Sequence, residues 1–360
     1  MNTKTFTVSL LVAGAMAGPQ GSSGFAGLGK VGQDPGFNNF NAKYNKGPGS
    51  VGEYVERQGI YHANTNTINE HNRKNIGSSN PNKLVLEMNW TGDLTPEEYG
   101  NMTNLDNAAA EAQATSFTPS GGLGGRMGGV GVPVASTIDH FEDGFMHPVK
   151  DQGSCGSCWT FSANTTLEGT LAKKQGTSPV RISEQQIVDC TNTKDSRNKD
   201  RFGKDYGAWG CEGGWMDYSW NFHKDQGYMY DSDYSYTSGN DGREKECAHK
   251  DDMTKGRVTS YGQITTNTND MKAKAMMQPL AVALDAGKAA FQFYKSGVVK
   301  ASDGCGSQLN HAVVIVGYSS GDDSGPDPSP EPTPPTPTDC TVTKWWHSCE
   351  ASDTDDRRML

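Results

Sequence analysis

The sequence predicts an α+β protein, and three observations carry that reading. Apolar residues recur at helical spacing early in the segment 132–318. Short Val- and Ala-rich runs, the look of buried strands, occupy its later part. The stretches on either side are too polar, or too rich in Gly and Pro, to hold the main core.

Lys4 precedes an apolar run, "FTVSLLVAGAMA", that ends on small residues at Ala15 and Ala17. A charged start, a short apolar run and an A-x-A ending make residues 1–17 a secretory signal peptide, with cleavage after Ala17. The run is too short to span a bilayer, and no other segment is long and apolar enough. Residues 18–50, rich in Gly, Asn and Pro, read as flexible, whereas Glu53 to Asn72 reads as a polar helix. "SGGLGGRMGGVGV" then reads as an exposed linker, open to proteolytic nicking.

In the main segment, Ala163, Leu167 and Leu171 follow Cys158 at intervals of four and predict one buried helix face reaching Lys174. Ser183 is the expected N-cap of a second helix, "SEQQIVDC", with Gln186 as capping-box partner. "PLAVALDA" and "HAVVIVGY" are the expected buried strands, and 213–250 reads as loop-rich. Beyond Tyr318 the acidic, Pro-rich "SSGDDSGPDPSPEPTPPTPTD" reads as an extended linker. The last segment, "CTVTKWWHSCEASDTDDRRML", is too small for its own core and reads as a Cys-containing module cut short.

A net charge of -10 argues against a nucleic-acid footprint. A secretory start permits disulfides, and there are eight cysteines; with one kept as a free thiol, the remaining seven cannot all pair within the chain. Asn89, Asn101 and Asn164 head N-x-S/T sequons, a weak signal alone.

The chemistry concentrates at "QGSCGSCW", residues 152–159. A C-x-x-C pair can be half a zinc site, a redox dithiol, a disulfide corner, or one structural cysteine beside one reactive one. Zinc needs a second ligand pair, which neither Cys340/Cys349 nor any His pair supplies. A redox dithiol sits poorly with the secretory start and the flanking residues. The remaining reading makes Cys155 a bridged cysteine and Cys158 a free thiol at a helix N-terminus. There the dipole and a neighbouring imidazolium would favour the thiolate. Gly153 and Gly156 let the backbone turn its N–H groups toward a carbonyl oxygen, and the Gln152 amide can add a donor.

"VKDQGSCGSCWTFSA" resembles the active-site segment of papain-family cysteine proteases. "ISEQQIVDC" at 182–190, "GCEGGWM" at 210–216 and "NHAVVIVGY" at 310–318 resemble later segments in the family's order. Upstream, Glu53, Arg57, Tyr61, Asn64, Ile68 and Asn72 fit the helical signature of cathepsin L-like propeptides. "EMNWTGDLTPEEY" resembles the element after it, keeping Asn89 and Asp93. The resemblance implies a papain-like two-lobe fold, one lobe helical and one β-rich. It also implies an inhibitory propeptide over 18–131, a peptidase domain over 132–320, a linker over 321–338 and a tail over 339–360. Cys158 then corresponds to the nucleophile, His311 to the general base and acid, and Gln152 to the oxyanion donor. Gly213 and Gly214 match the edge that pairs with substrate backbone. Trp215, Met216, Ala281, Ala283 and Ala312 match the wall of a pocket for a bulky apolar P2 side chain. The implied disulfides are Cys155–Cys211 and Cys190–Cys247.

On this resemblance the chain is a cysteine endopeptidase made as a secreted or lysosomal/vacuolar zymogen. It would act on proteins or peptides, be inhibited by its own propeptide, and need neither metal nor cofactor. Two departures stand against the pattern. The polar stretch "TNTKDSRNKDRFGKDYGAWG" is longer than the family has there and is expected to form a surface loop. More seriously, the family places an Asn, in an N-S-W-G strand, after the histidine, and no Asn follows Asn310. The β-rich lobe is therefore expected to be incomplete, with an unpaired edge along "HAVVIVGY" and no usual partner for Cys305. The alternative function is a catalytically impaired relative acting as a secreted binding protein.

Overall fold

The computed structural model describes residues 34–80, 83–103, 137–264, 268–304 and 306–319, together with Leu105, Ala135 and two strands at 7–11 and 346–353. The cleavage point after Ala17, the Gly-rich and Pro-rich linkers, Cys305 and Cys340 lie outside the described residues.

Strand β1 (Thr7–Leu11) belongs to the main sheet, treated below. Helix α1 (Pro35–Lys43) starts at Asp34, whose carboxylate accepts the N–H groups of Gly36 at 2.8 Å and Phe37 at 3.2 Å. Expected as flexible, this stretch is helical because Asp34 caps it, Pro35 presets its first turn, and its apolar side has somewhere to go. Phe37 and Phe40 are buried against Tyr54 and Tyr61 of helix α2 (Val51–Lys74).

α2 confirms the expected helix, and its regularly spaced residues divide two kinds of work. Tyr61 joins the aromatic cluster, and Ile68 packs on Leu84, Leu86 and Phe293. The polar ones hold the backbone of 84–94. Arg57 donates to both Glu98 oxygens, at 2.6 and 2.7 Å, and to Asp93 O at 3.0 Å. Asn64 donates to Gly92 O at 2.9 Å, and Asn72 both donates to Leu86 O and accepts from its N–H. A helix without a dominant apolar face is held here by satisfying a neighbouring segment's backbone groups. That segment contains β2 (Val85–Leu86) and runs to α3 (Pro96–Met102), which starts on a complete capping box between Thr95 and Glu98.

Beyond β3 (Thr137–Asp139), α4 (Cys158–Gln175) is the central helix. It was expected to bury one face, but nearly every residue from Cys158 to Thr170 is buried, as suits a helix enclosed on all sides. Gly176, at φ +65°, ends it in the left-handed conformation. α5 (Glu184–Cys190) forms under Ser183, which accepts the Gln186 N–H at 3.0 Å. Only half the expected capping box is present, because Gln186 Oε1 accepts the Met229 N–H at 2.9 Å and the Ser183 N–H donates to Met229 O at 3.0 Å instead. The long polar stretch holds α6 (Ser196–Phe202), and the region read as loop-rich contains α7 (Met216–Asp225).

β4 (Gly256–Ile264), α8 (Thr268–Met277), β5 (Leu280–Leu284), α9 (Ala289–Gln292), β6 (Tyr294–Ser296), β7 (His311–Ser319) and β8 (Trp346–Asp353) complete the described elements. The two expected strands pair antiparallel, Leu280 opposite Ile315 and Leu284 opposite His311. The main sheet has the order β1-β7-β5-β8-β4, with β3 also on β7. The edge of β7 expected to be bare is paired with β1, from Thr7↔Ser319 to Leu11↔Val314, and with β3, from Thr137↔Ser319 to Asp139↔Gly317; of the two, only β3 lies beyond the expected cleavage after Ala17. The tail does not stand apart either: β8 lies between β5 and β4. A second, two-stranded sheet joins β2 to β6.

Beneath the central helix lies a buried charge cluster. Lys150 donates to Glu168 and Glu184, both at 2.6 Å, and all three side chains are no more than 7% exposed. Burial pushes the Glu168 carboxyl up to about 7, with the Lys150 charge pulling the other way, and burial likewise raises Glu184. Burial also disfavours the Lys150 charge, but the two carboxylates outweigh it and hold its pKa above the ordinary value.

Replacing Lys150 with Met strands two buried carboxyls without a cation. The expected loss of stability is about 3–5 kcal/mol near neutral pH. The sign follows from the raised carboxyl pKa values: lowering the pH protonates both groups and shrinks the loss. Urea unfolding of the wild type and K150M at pH 8 and pH 5 measures this; an equal loss at both would contradict it.

Candidate active site

The loop before α4 is fixed from several sides. Gly153 has φ +59°, and a Cβ there would lie 2.4 Å from Gly239 O. Ser154 N donates to Gly239 O at 2.8 Å, and Gly156 N to Cys211 O at 2.9 Å. The disulfide Cys155–Cys211 ties the loop to the Gly213–Gly214 edge, and Cys190–Cys247 forms the second bridge, so both implied pairings are present. The Tyr236 hydroxyl donates to Gln152 O at 2.7 Å and lies 2.8 Å from Ser157 Oγ, bracing both ends of the loop.

Cys158 is the free cysteine among the described residues, and it opens α4. Ser157 does not cap the helix with its side chain. Burial pushes the thiol up to about 11, while the backbone N–H groups of Ala312, Trp159 and Cys158 itself pull it down. The sequence led us to expect a lowered pKa, but desolvation outweighs these amides. His311 heads β7 and is buried, its ring edge-on to Phe291 with centroids 5.8 Å apart. Burial pulls the imidazole down to about 4. Its Nδ1 has no hydrogen-bond partner among the described residues. Thiol and imidazole are thus both neutral here, rather than the expected ion pair.

The prosegment lies against this site. Gln152 Nε2 donates to Met102 O at 3.0 Å as well as to Cys155 O at 2.9 Å. Leu105 pairs with Gly214 in a parallel bridge and is buried in a cluster with Trp215, Met216, Ala281, Ala283 and Ala312. Gly214 has to be glycine, since a Cβ would come within 2.6 Å of the Trp159 ring. Gly213 faces elsewhere: its carbonyl accepts the Trp209 N–H at 2.9 Å. Further back, the prosegment is anchored by Glu87 N to Phe293 O at 2.8 Å and Asn89 Nδ2 to Gln292 O at 2.6 Å. A cavity of about 30 Å³, room for a water molecule, borders Cys158, Gln152, His147 and Val314. Met102, Leu105, Tyr236 and His147 were not singled out from the sequence. Nothing in their spacing marks them, because their partners are distant in the chain.

Residues 134–329 match the model of the papain family cysteine proteases, and residues 37–99 match the cathepsin propeptide inhibitor domain. The chain belongs to the papain family of cysteine proteases. Procathepsin L of Rattus norvegicus is 31% identical over 273 residues, covering 75% of this chain and 74% of the rat protein. Digestive cysteine proteinase 2 of Homarus americanus is 30% identical over 297 residues, 82% of this chain and 84% of its own length. Among solved structures, digestive procathepsin L 3 of the Tenebrio molitor larval midgut is 30% identical with a TM-score of 0.61, covering 80% of this chain and 84% of that one. This papain-family chain is accordingly a cathepsin L-like cysteine endopeptidase in zymogen form, with its inhibitor domain in place.

A neutral, buried thiol makes a kinetic statement. In the intact precursor, iodoacetamide should modify Cys158 slowly, with a rate rising about tenfold per pH unit from about pH 6 to 9. Labelling under non-reducing conditions, followed by peptide mapping, tests this. A fast rate that is flat across that range would mean that the thiolate is already formed.

Proposed function

We propose that Cys158 is the nucleophile of this peptidase, His311 its general base and acid, and that the Gln152 amide with the Cys158 N–H receives the oxyanion. The Cys158 proton passes to His311 as sulfur bonds to the scissile carbonyl carbon. The tetrahedral oxyanion collapses, the C–N bond breaks, and His311 protonates the leaving amine. Water, deprotonated by His311, then releases the acid from the thioester.

The observation that carries this reading is the prosegment's position. A carbonyl, Met102 O, already lies on the Gln152 amide, and an apolar side chain, Leu105, already fills the pocket beside Gly214. The same pocket suits a bulky apolar residue at P2. Residues 18–131 act as a removable inhibitor, and residues 1–17 direct the chain to a secreted or lysosomal/vacuolar destination. Turnover in this chain is low, since the imidazole Nδ1 lacks an orienting partner among the described residues. Loss of such a group costs about four powers of ten in kcat in a serine protease triad.

Active-site titration with an irreversible thiol-protease inhibitor, after processing at mildly acidic pH, tests the assignment. C158S should titrate at zero, and Q152A should lose about 10²–10³ in kcat. A version carrying an N-S-W-G strand after Tyr318 should gain turnover on peptides with Leu or Phe at P2. A chain as written that turns over as fast as the grafted one would refute the role given to the missing Asn.

The inhibitor role has its own test. Leu105→Ala removes a buried side chain worth about 2–5 kcal/mol. The variant precursor should be processed faster at mildly acidic pH than the wild type, followed on gels. Unchanged processing would show that Leu105 does not hold the cleft closed.

A further inference from the structure

Three sequons occur in the chain, at 89–91, 101–103 and 164–166, and the fold treats them differently. Asn164 is fully buried in α4, with Oδ1 at 2.9 Å from His223 Nε2, and Thr166 is buried as well. No sugar fits there without opening the helical core. Asn89 turns its amide into the contact between prosegment and enzyme: Nδ2 donates to Gln292 O, while Oδ1 accepts from the Thr91 N–H at 3.0 Å and hydroxyl at 2.7 Å. Asn101 differs from both. It sits on the last turn of α3, is exposed, and its side chain makes no hydrogen bond among the described residues. Thr103 is itself buried, its hydroxyl donating to Gly100 O at 3.0 Å, so the contrast with the other two sequons lies in the exposed asparagine.

We propose that Asn101 carries an N-linked oligosaccharide and that Asn89 and Asn164 do not. The inference rests on the secretory reading of residues 1–17, because the donor is a lipid-linked pyrophosphate oligosaccharide of the secretory pathway. In the transfer the sugar C1–Nδ2 bond forms, the C1–O bond to pyrophosphate breaks, and the amide proton goes to the transferase's base. N-linked sugars are bulky and solvated, so they belong on exposed backbone such as this. The position has a consequence for the zymogen. Asn101 immediately precedes Met102, whose carbonyl lies on Gln152, so the sugar stands at the rim of the closed cleft. It departs with the prosegment, leaving the mature enzyme without sugar.

The test expresses the full chain in a eukaryotic secretory host, with residues 1–17 replaced by an unrelated leader so that entry is assured. Mobility with and without peptide N-glycosidase F is compared for the wild type, N89Q, N101Q and N164Q. Site occupancy in the wild type is read directly as Asn-to-Asp conversion in heavy-oxygen water. The expected result is one enzyme-sensitive step, absent from N101Q alone, with full conversion at Asn101. Secreted protein without sugar, or conversion at Asn89 or Asn164, overturns the proposal. A parallel culture with the native residues 1–17 reads the export assumption separately: failure to export there condemns the signal assignment, while the leader-replaced chain still decides Asn101.

Discussion

The Ser162 hydroxyl of α4 donates to Val313 O at 2.7 Å, and this buried hydrogen bond fastens the helix that Cys158 opens to the strand that carries His311. The rest of the site depends on it. Side chains alternate across a strand, so a slip of one residue in the pairing of β7 with β5 would carry His311 to the opposite face. The register from Leu280↔Ile315 to Leu284↔His311 prevents that slip. On the other side of the cleft, Cys155–Cys211 couples the loop before Cys158 to the Gly213–Gly214 edge. Nucleophile, base and substrate edge are therefore held on three separate elements.

Burial decides the electrostatics of this region more than pairing does. It raises the Cys158 thiol, lowers the His311 imidazole and raises Glu168, even with Lys150 in contact. The common cause is desolvation, to which the prosegment adds at Cys158, where Leu105 joins the same buried cluster. The charge state of the site is thus partly a property of the prosegment. The same residues in an open cleft would meet water again, and the cost of a separated charge would fall.

Much of this was legible from spacing. The helices after Cys158 and Ser183 and the strands at 280–284 and 311–319 follow from local apolar pattern. The ordered motifs pointed to the site residues before any geometry. Composition misled where caps decide: among the Gly, Asn and Pro of 18–50, Asp34–Pro35 with Phe37 and Phe40 specified a helix. Similarly, the aromatics of 216–225 pack around a helix although their surroundings read as loop. The roles of Arg57, Asn64 and Asn72 were hidden for another reason. Each bonds the backbone of 84–94, and no pattern in the helix itself reveals which carbonyls lie opposite. The strands β1 and β8 pair with residues so far away in sequence that local signals carry no information about them.

The bonds of Arg57, Asn64 and Asn72 close within residues 34–102, on a segment a few dozen positions away, whereas the bonds of Glu87, Asn89 and Met102 reach the enzyme. The sheet, by contrast, must bring Gly256–Ile264 to Trp346–Asp353 and Leu280–Leu284 to His311–Ser319. Local contacts form quickly and non-local strand pairings slowly. The chain is also made from its N-terminus, at about 5–20 residues per second. The α1–α2–α3 unit can therefore finish before the strands it will touch have been synthesised. β6 then has a ready partner in β2, and the pocket beside Gly214 a ready occupant in Leu105. The order of synthesis lets the inhibitor serve as the surface against which the enzyme's last pieces assemble.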